Sequence, residues 1–204
     1  MTHGNDADLT ARARIRLAAL ALFARNGFAG TSLRAVAARA GVSHALVRHH
    51  FGSKEGLRAA VDEDVLDVFD SLMAEADTAG PGGLLAAFGG AAAGLFGTDD
   101  VRREYLRRSL LEGSDAGAAL FARLLEGVQT RLDGLRRDTA DEGPAQEPAR
   151  RWEPYQVLFL ILGPVLLEPV MTPGLPRPVF DPPVVAERSG ANQRLIARGI
   201  LGRG

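Results

Sequence analysis

The short stretch Gly41-Val42-Ser43 does more than any other to limit what this chain can fold into. Just before it, Leu33, Val36, Ala37 and Ala40 recur at helical spacing, which gives one buried face. Ser32 stands where it can cap that helix. Gly41 closes it, because glycine accepts the left-handed conformation that follows a helix end. Ser43 can cap the next helix at once, from His44 to about His50. Two short amphipathic helices joined by a three-residue, glycine-containing turn make a helix-turn-helix. An earlier helix, expected to begin after Thr10 as its N-cap, carries Ile15, Ala18, Ala19, Leu22 and Phe23 on one stripe and ends at Asn26-Gly27. Three short helices with facing apolar stripes form one small module.

The helix after Ser43 has a divided surface. Val47 and Phe51 lie four apart and face the core with Val42, while His44, Ala45, Arg48 and His49 are left outside. Leu46 and His50 sit nearer the edge. A short helix exposing an arginine, histidines and small groups fits a major groove. The histidines invite a metal reading, but ligands sharing a helix face stand three or four apart. His44, His49 and His50 point in three directions at about 100° per residue. Acid–base catalysis lacks an orienting carboxylate, Glu55 beyond the turn excepted.

Charge separates two regions. Residues 1–58 hold nine Lys or Arg against three acids, a net of +6, and residues 59–204 carry −7. A compact basic unit suits a polyanion, since neutralising phosphates releases condensed counterions. Cysteine is absent, which rules out disulfides, thiolate metal sites and a cysteine nucleophile. The start, MTHGNDADLT, does not read as a signal peptide. The most apolar run, Val157 to Leu167, is too short for a bilayer, which needs roughly 20 residues, and reads as a buried helix. The expected location is the cytoplasm, with no membrane partner.

Residues 13–57, ARIRLAALALFARNGFAGTSLRAVAARAGVSHALVRHHFGSKEGL, resemble the DNA-binding domain of TetR-type transcriptional regulators. The resemblance rests on an A-x-x-LF-x-x-x-GF stretch, a T-[ST]-[LV]-x-x-[IV]-A helix, A-GVS, and a helix closing in H-[HY]-F-x-[ST]-K-x-x-L. It implies that Thr31, Ser32 and Arg34 meet the DNA backbone, and sometimes a base, at the start of the second helix. It implies that Ser43, His44, Ala45, Leu46 and Arg48 belong to the reading surface, with His49, His50 and Lys54 on phosphate. Many members have tyrosine at the position of Arg48. Arginine can bond bidentately to guanine or clamp a phosphate; the tyrosine it replaces often binds phosphate, which favours the second. Arg12, Arg14 and Arg16 add positive potential and sometimes touch the minor groove.

Past residue 58 the pattern is helical throughout. A long helix runs from Gly56 through VDEDVLDVFDSLMAEAD. Helical periodicity follows over 84–96, 101–112 and 116–137, then a loop over 141–148. A strongly apolar helix spans 150–171, broken by Pro154, Pro164 and Pro169. TPGLPRPVFDPP (172–183) reads as an extended connection before a last helix, 184–201. Phe88, Leu95, Phe96, Tyr105, Phe121, Trp152 and Phe159 are candidates to line an apolar cavity for a small apolar or amphipathic effector. Arg102, Arg103, Arg107 and Arg108 read mainly as a solvated face paired with Glu104 and Glu112, with contact to an anionic ligand as the alternative. The apolar helix and the last helix are candidates for self-pairing across a two-fold axis.

The expectation is an all-α chain: a helix-turn-helix DNA-binding domain over 1–58, motif about 32–51, and an effector-binding and dimerisation domain over 59–204. The function expected is that of a homodimeric repressor on double-stranded DNA with a palindromic operator, released by a small-molecule effector, without cofactor or metal. Control by a protein partner, or activation, is the alternative. An enzyme is disfavoured: no cysteine, no glycine-rich loop after a strand and no histidine beyond residue 50.

Overall fold

The computed structural model describes residues 3–77, 99–139 and 150–199. Among them every regular element is helical. The order is α1 (His3–Asn26), α2 (Leu33–Ala40), α3 (His44–Phe51), α4 (Lys54–Asp77), α5 (Asp100–Leu111), α6 (Asp115–Thr139), α7 (Glu153–Met171), a 3-10 turn (Thr172–Gly174) and α8 (Pro182–Gly199). The helix expected over 84–96 and the loop over 141–148 lie outside the described residues.

The chain divides into two compact units. The first takes residues up to Leu66 together with Val101–Gly117, and the second takes the remainder. The first unit is built on one core. Ile15, Ala19 and Phe23 of α1 pack with Val36, Ala37 and Ala40 of α2, Val47 of α3, Leu57, Val61 and Val65 of α4, and Tyr105 of α5. These positions recur every three or four residues, so each helix turns one apolar stripe inward.

The helix-turn-helix forms by local chemistry. Ser32 caps α2, its hydroxyl accepting from the Ala35 amide at 3.1 Å. Gly41 follows at φ 66°, and its own amide donates to the Ala37 and Ala38 carbonyls. Ser43 caps α3 through the Leu46 amide at 3.1 Å. Ser53 accepts from the Gly56 amide at 3.0 Å, which starts α4 at Lys54, two residues before the Gly56 start expected from the sequence. Helix α1 begins at His3 rather than after Thr10.

The second unit differs from expectation in three places. Pro154 falls in the first turn of α7, where a missing amide hydrogen costs nothing, so it does not interrupt the helix. The proline-rich connection is not extended throughout. It opens with the 3-10 turn, closes a further turn by the Asp181 amide on the Pro178 carbonyl (2.9 Å), and buries Val179 and Phe180. The apolar run is also longer than expected. Flanking residues carry it to Glu153–Gly174, 22 residues holding an 18-residue window of mean hydropathy 1.7, long and apolar enough by length and composition alone to cross a bilayer. Its buried side chains, Val157, Leu158, Ile161, Leu162 and Val165, make one face of it a core face.

Candidate nucleic-acid interface

Helix α3 is held from beneath by Val47, fully buried, with Phe51 packed partly buried on the same core. That seating turns His44, Ala45, Arg48 and His49 out to solvent, and Leu46 and His50 are half-buried at the margin. The His50 ring stacks edge-on between His49 (5.5 Å) and Phe51 (6.1 Å). Ser43 is exposed as well as capping. At the start of α2, Ser32 and Arg34 lie on the accessible side of the same motif. The structure therefore brings together most of the residues expected to read DNA.

Two of them are engaged inside the protein. Thr31 is only 3% exposed, and its hydroxyl lies 2.9 Å from the Gly27 carbonyl and 3.1 Å from that of Leu22. It ties the end of α1 to the start of α2. Lys54 is half-buried, its Nζ 4.3 Å from the centre of the Phe28 ring and 3.5 Å from the Ala29 carbonyl. Exposed Arg12, expected to add positive potential and sometimes to touch the minor groove, places its guanidinium 5.8 Å over the Phe51 ring, beside the end of α3. The long sequence separation between them hides that pairing.

Not all of the positive charge counted in residues 1–58 faces outward. Arg16 pairs with Asp64 at 2.9 Å. Arg58, 5% exposed, lies 3.3 Å from Glu112 and 5.0 Å over the Phe28 ring. Glu112 also accepts from the Phe28 amide at 3.2 Å. The basic run of α5 divides likewise. Arg102 holds Asp64 at 2.7 Å, Arg103 is buried, and Arg107 and Arg108 pair with Glu104. Tyr105, a candidate effector contact, instead belongs to the core of the first unit and donates to Asp62 at 2.6 Å.

In the second unit Tyr155 gathers the remaining aromatics. Phe121 lies 6.3 Å from it, Trp152 5.5 Å and Phe159 6.4 Å. Trp152 and Phe159 are more than half exposed. The sequence reading misses Tyr155, although its spacing from Trp152 and Phe159 puts it on their face. Phe88, Leu95 and Phe96 lie outside the described residues. No group of residues able to hold a metal ion occurs among the described residues.

Comparisons agree with this arrangement. Residues 15–61 match the family described as bacterial regulatory proteins, tetR family. The chain is 42% identical over 147 residues to the HTH-type transcriptional regulatory protein RaaS of Mycobacterium tuberculosis, covering 71% of this chain. The match spans 66% of that relative, just under two thirds of its length. Among solved structures, the regulator FadR of Bacillus subtilis in complex with stearoyl-CoA superposes with a TM-score of 0.72 at 20% identity, covering 94% of this chain and 99% of that one. The TetR family regulator PfmR of Thermus thermophilus gives 0.63 at 25% identity, over 94% and 97%.

Proposed function

The chain belongs to the TetR family of transcriptional regulators, DNA-binding proteins rather than enzymes, and from that premise we propose that it acts as a homodimeric repressor released from a palindromic operator by a small-molecule effector. The observation that carries this reading is the outer face of α3, where His44, Ala45, Arg48 and His49 stand free of the core on a helix capped at both ends. Arg34 and Arg12 flank it and extend a positive surface suited to phosphate. A two-fold dimer sets two such helices about 34 Å apart, one turn of DNA, which matches a palindrome. Exposed apolar side chains on α7 and α8 (Phe159, Leu167, Val170 and Leu195) support pairing there. FadR, a fold neighbour, holds stearoyl-CoA, and an amphipathic effector suits the second unit here too. The cytoplasm is the compartment in which such a regulator meets DNA.

The test begins with unbiased selection of bound DNA fragments, followed by a shift assay on the recovered site. Arg48→Ala and Arg34→Ala are each expected to weaken operator binding at least tenfold. If Arg48 grips a phosphate, all sequences lose affinity alike and the salt slope falls by about one. If it reads guanine, specificity relaxes at a single position. Unchanged affinity in both variants would refute the assignment of α3 and α2 as the DNA-contacting helices.

A further inference from the structure

Glu112 stands just past the end of α5, well beyond residues 15–61 that match the family. Gly113, at φ 64°, closes the helix directly after it and so fixes where the carboxylate sits. Its two oxygens serve two donors. One accepts from the Phe28 amide at 3.2 Å, and the other lies 3.3 Å from the Arg58 guanidinium. Arg58 is buried, reaches the Ser114 hydroxyl at 3.4 Å and lies 5.0 Å over the Phe28 ring. The turn after α1 is thus gripped by its backbone and by its side chain. Gly27 passes so near that a Cβ there would stand 3.4 Å from the Glu112 carboxylate. We propose that Glu112 is a positioning residue for operator binding, a clasp on the α1–α2 turn that sets the start of α2. The proposal rests on DNA contact by α2 and α3, and not on the dimer or the effector.

The path from the clasp to the DNA-facing side is short. The Gly27 carbonyl accepts from the Thr31 hydroxyl at 2.9 Å, and the Phe28 carbonyl accepts from the Thr31 amide at 3.2 Å. Ser32 follows as the cap of α2, with Arg34 exposed in its first turn. A carboxylate suits the clasp because it accepts at both oxygens, whereas an amide would turn a donor toward either Phe28 or Arg58. Without the clasp the turn samples more conformations, and binding that needs α2 in one place must order it again. Sequence-independent binding is mainly attraction to phosphate and carries no such cost. Charge alone predicts the opposite sign, since removing an acid from a basic unit strengthens its hold on a polyanion.

That difference in sign makes the test. Full-length parent, Glu112→Ala and Glu112→Gln are compared on the selected operator and on random-sequence DNA of the same length, with the active fraction fixed by stoichiometric titration. Operator affinity is expected to fall about tenfold in the Ala variant and about threefold in the Gln variant, the cost of reordering a turn that has lost a charge-assisted hydrogen bond. Affinity for random DNA should stay unchanged or rise, and amide exchange at Phe28 should quicken in the Ala variant. Should that variant lose its helical circular dichroism, the isosteric Gln variant carries the test. The proposal is overturned if the Gln variant, or a folded Ala variant, holds the operator as tightly as the parent. Parallel weakening on operator and random DNA overturns it too, because that is the mark of general damage. A parent that selects no operator refutes DNA reading by α2 and α3 itself; variants equal to a parent with an operator refute only the clasp.

Discussion

Asp62 places its carboxylate 2.6 Å from the Tyr105 hydroxyl, in the unit that carries α3. Burial pushes this carboxyl above the usual aspartate range, against the opposing pull of the Tyr105 hydrogen bond and the Arg58 charge. Burial, with Asp62 alongside, also pushes the Tyr105 phenol up, so it stays a donor. A folded state that binds the Asp62 proton more readily than the unfolded chain is favoured below the unfolded aspartate range. That contribution is lost as pH rises through the raised folded value. Tyr105→Phe should therefore cost about 1.5–3 kcal/mol at neutral pH, the worth of a hydrogen bond to a charged group. The gap from the parent should narrow as the pH is lowered until Asp62 is protonated. Urea unfolding at the two pH values checks this, and a gap independent of pH would contradict it. Single residues are also where the sequence reads least well. Tyr105, Thr31 and Lys54 are chemically able to meet a ligand or DNA. In the fold they engage Asp62, the Gly27 carbonyl and the Phe28 ring, neighbours that no local pattern announces.

Helices α2 and α3 are legible because their ends are written locally. Ser32, Gly41 and Ser43 each satisfy backbone groups within five residues, and all three act as read. Gly41 offers the cleanest test of that local control. Its φ of 66° is left-handed, yet a Cβ added there meets nothing within 4 Å. Gly41→Ala should therefore lose about 1–2 kcal/mol from backbone conformation alone, and Gly41→Asn less, since asparagine tolerates that region. Thermal denaturation distinguishes them; equal losses would point to a cause other than the dihedral. Elements without such punctuation are harder to place. The first turns of α1 have no apolar periodicity, so from sequence the helix reads as starting late. Ser53, the cap of α4, carries no apolar pattern that marks it as one. Helix α5, with Glu112 just beyond its end, is tied into the first unit through Arg58–Glu112 and Arg102–Asp64, pairs 54 and 38 residues apart for which helical periodicity gives no signal.

At the scale of the whole molecule, α7 poses the remaining question. One side is core, and the other exposes Phe159, Leu167 and Val170 around the side-chain-free Gly163, three or four residues apart along one stripe. Val170 is 73% exposed, and Leu195 on α8 is 58% exposed. A helix apolar on all sides is stable in water only when both sides are covered. In the proposed dimer a second copy covers the outer stripe, and two-fold symmetry presents every substitution twice. Leu167→Glu with Val170→Glu would set four carboxylates about the axis in an apolar contact, at the cost of desolvating like charges. The double variant is expected to sediment as a monomer at concentrations where the parent is dimeric. Its reading heads are untouched, so affinity for an isolated half-site should not change. Affinity for the full palindrome should fall on the order of 10²-fold or more, because the second head no longer binds at the high effective concentration of a linked pair. Sedimentation velocity and a shift assay on half and full sites read these outcomes separately. A variant that remains dimeric would move the pairing surface elsewhere on the chain; a monomer that still held the full site as tightly as the parent would show that dimerisation contributes nothing to operator recognition.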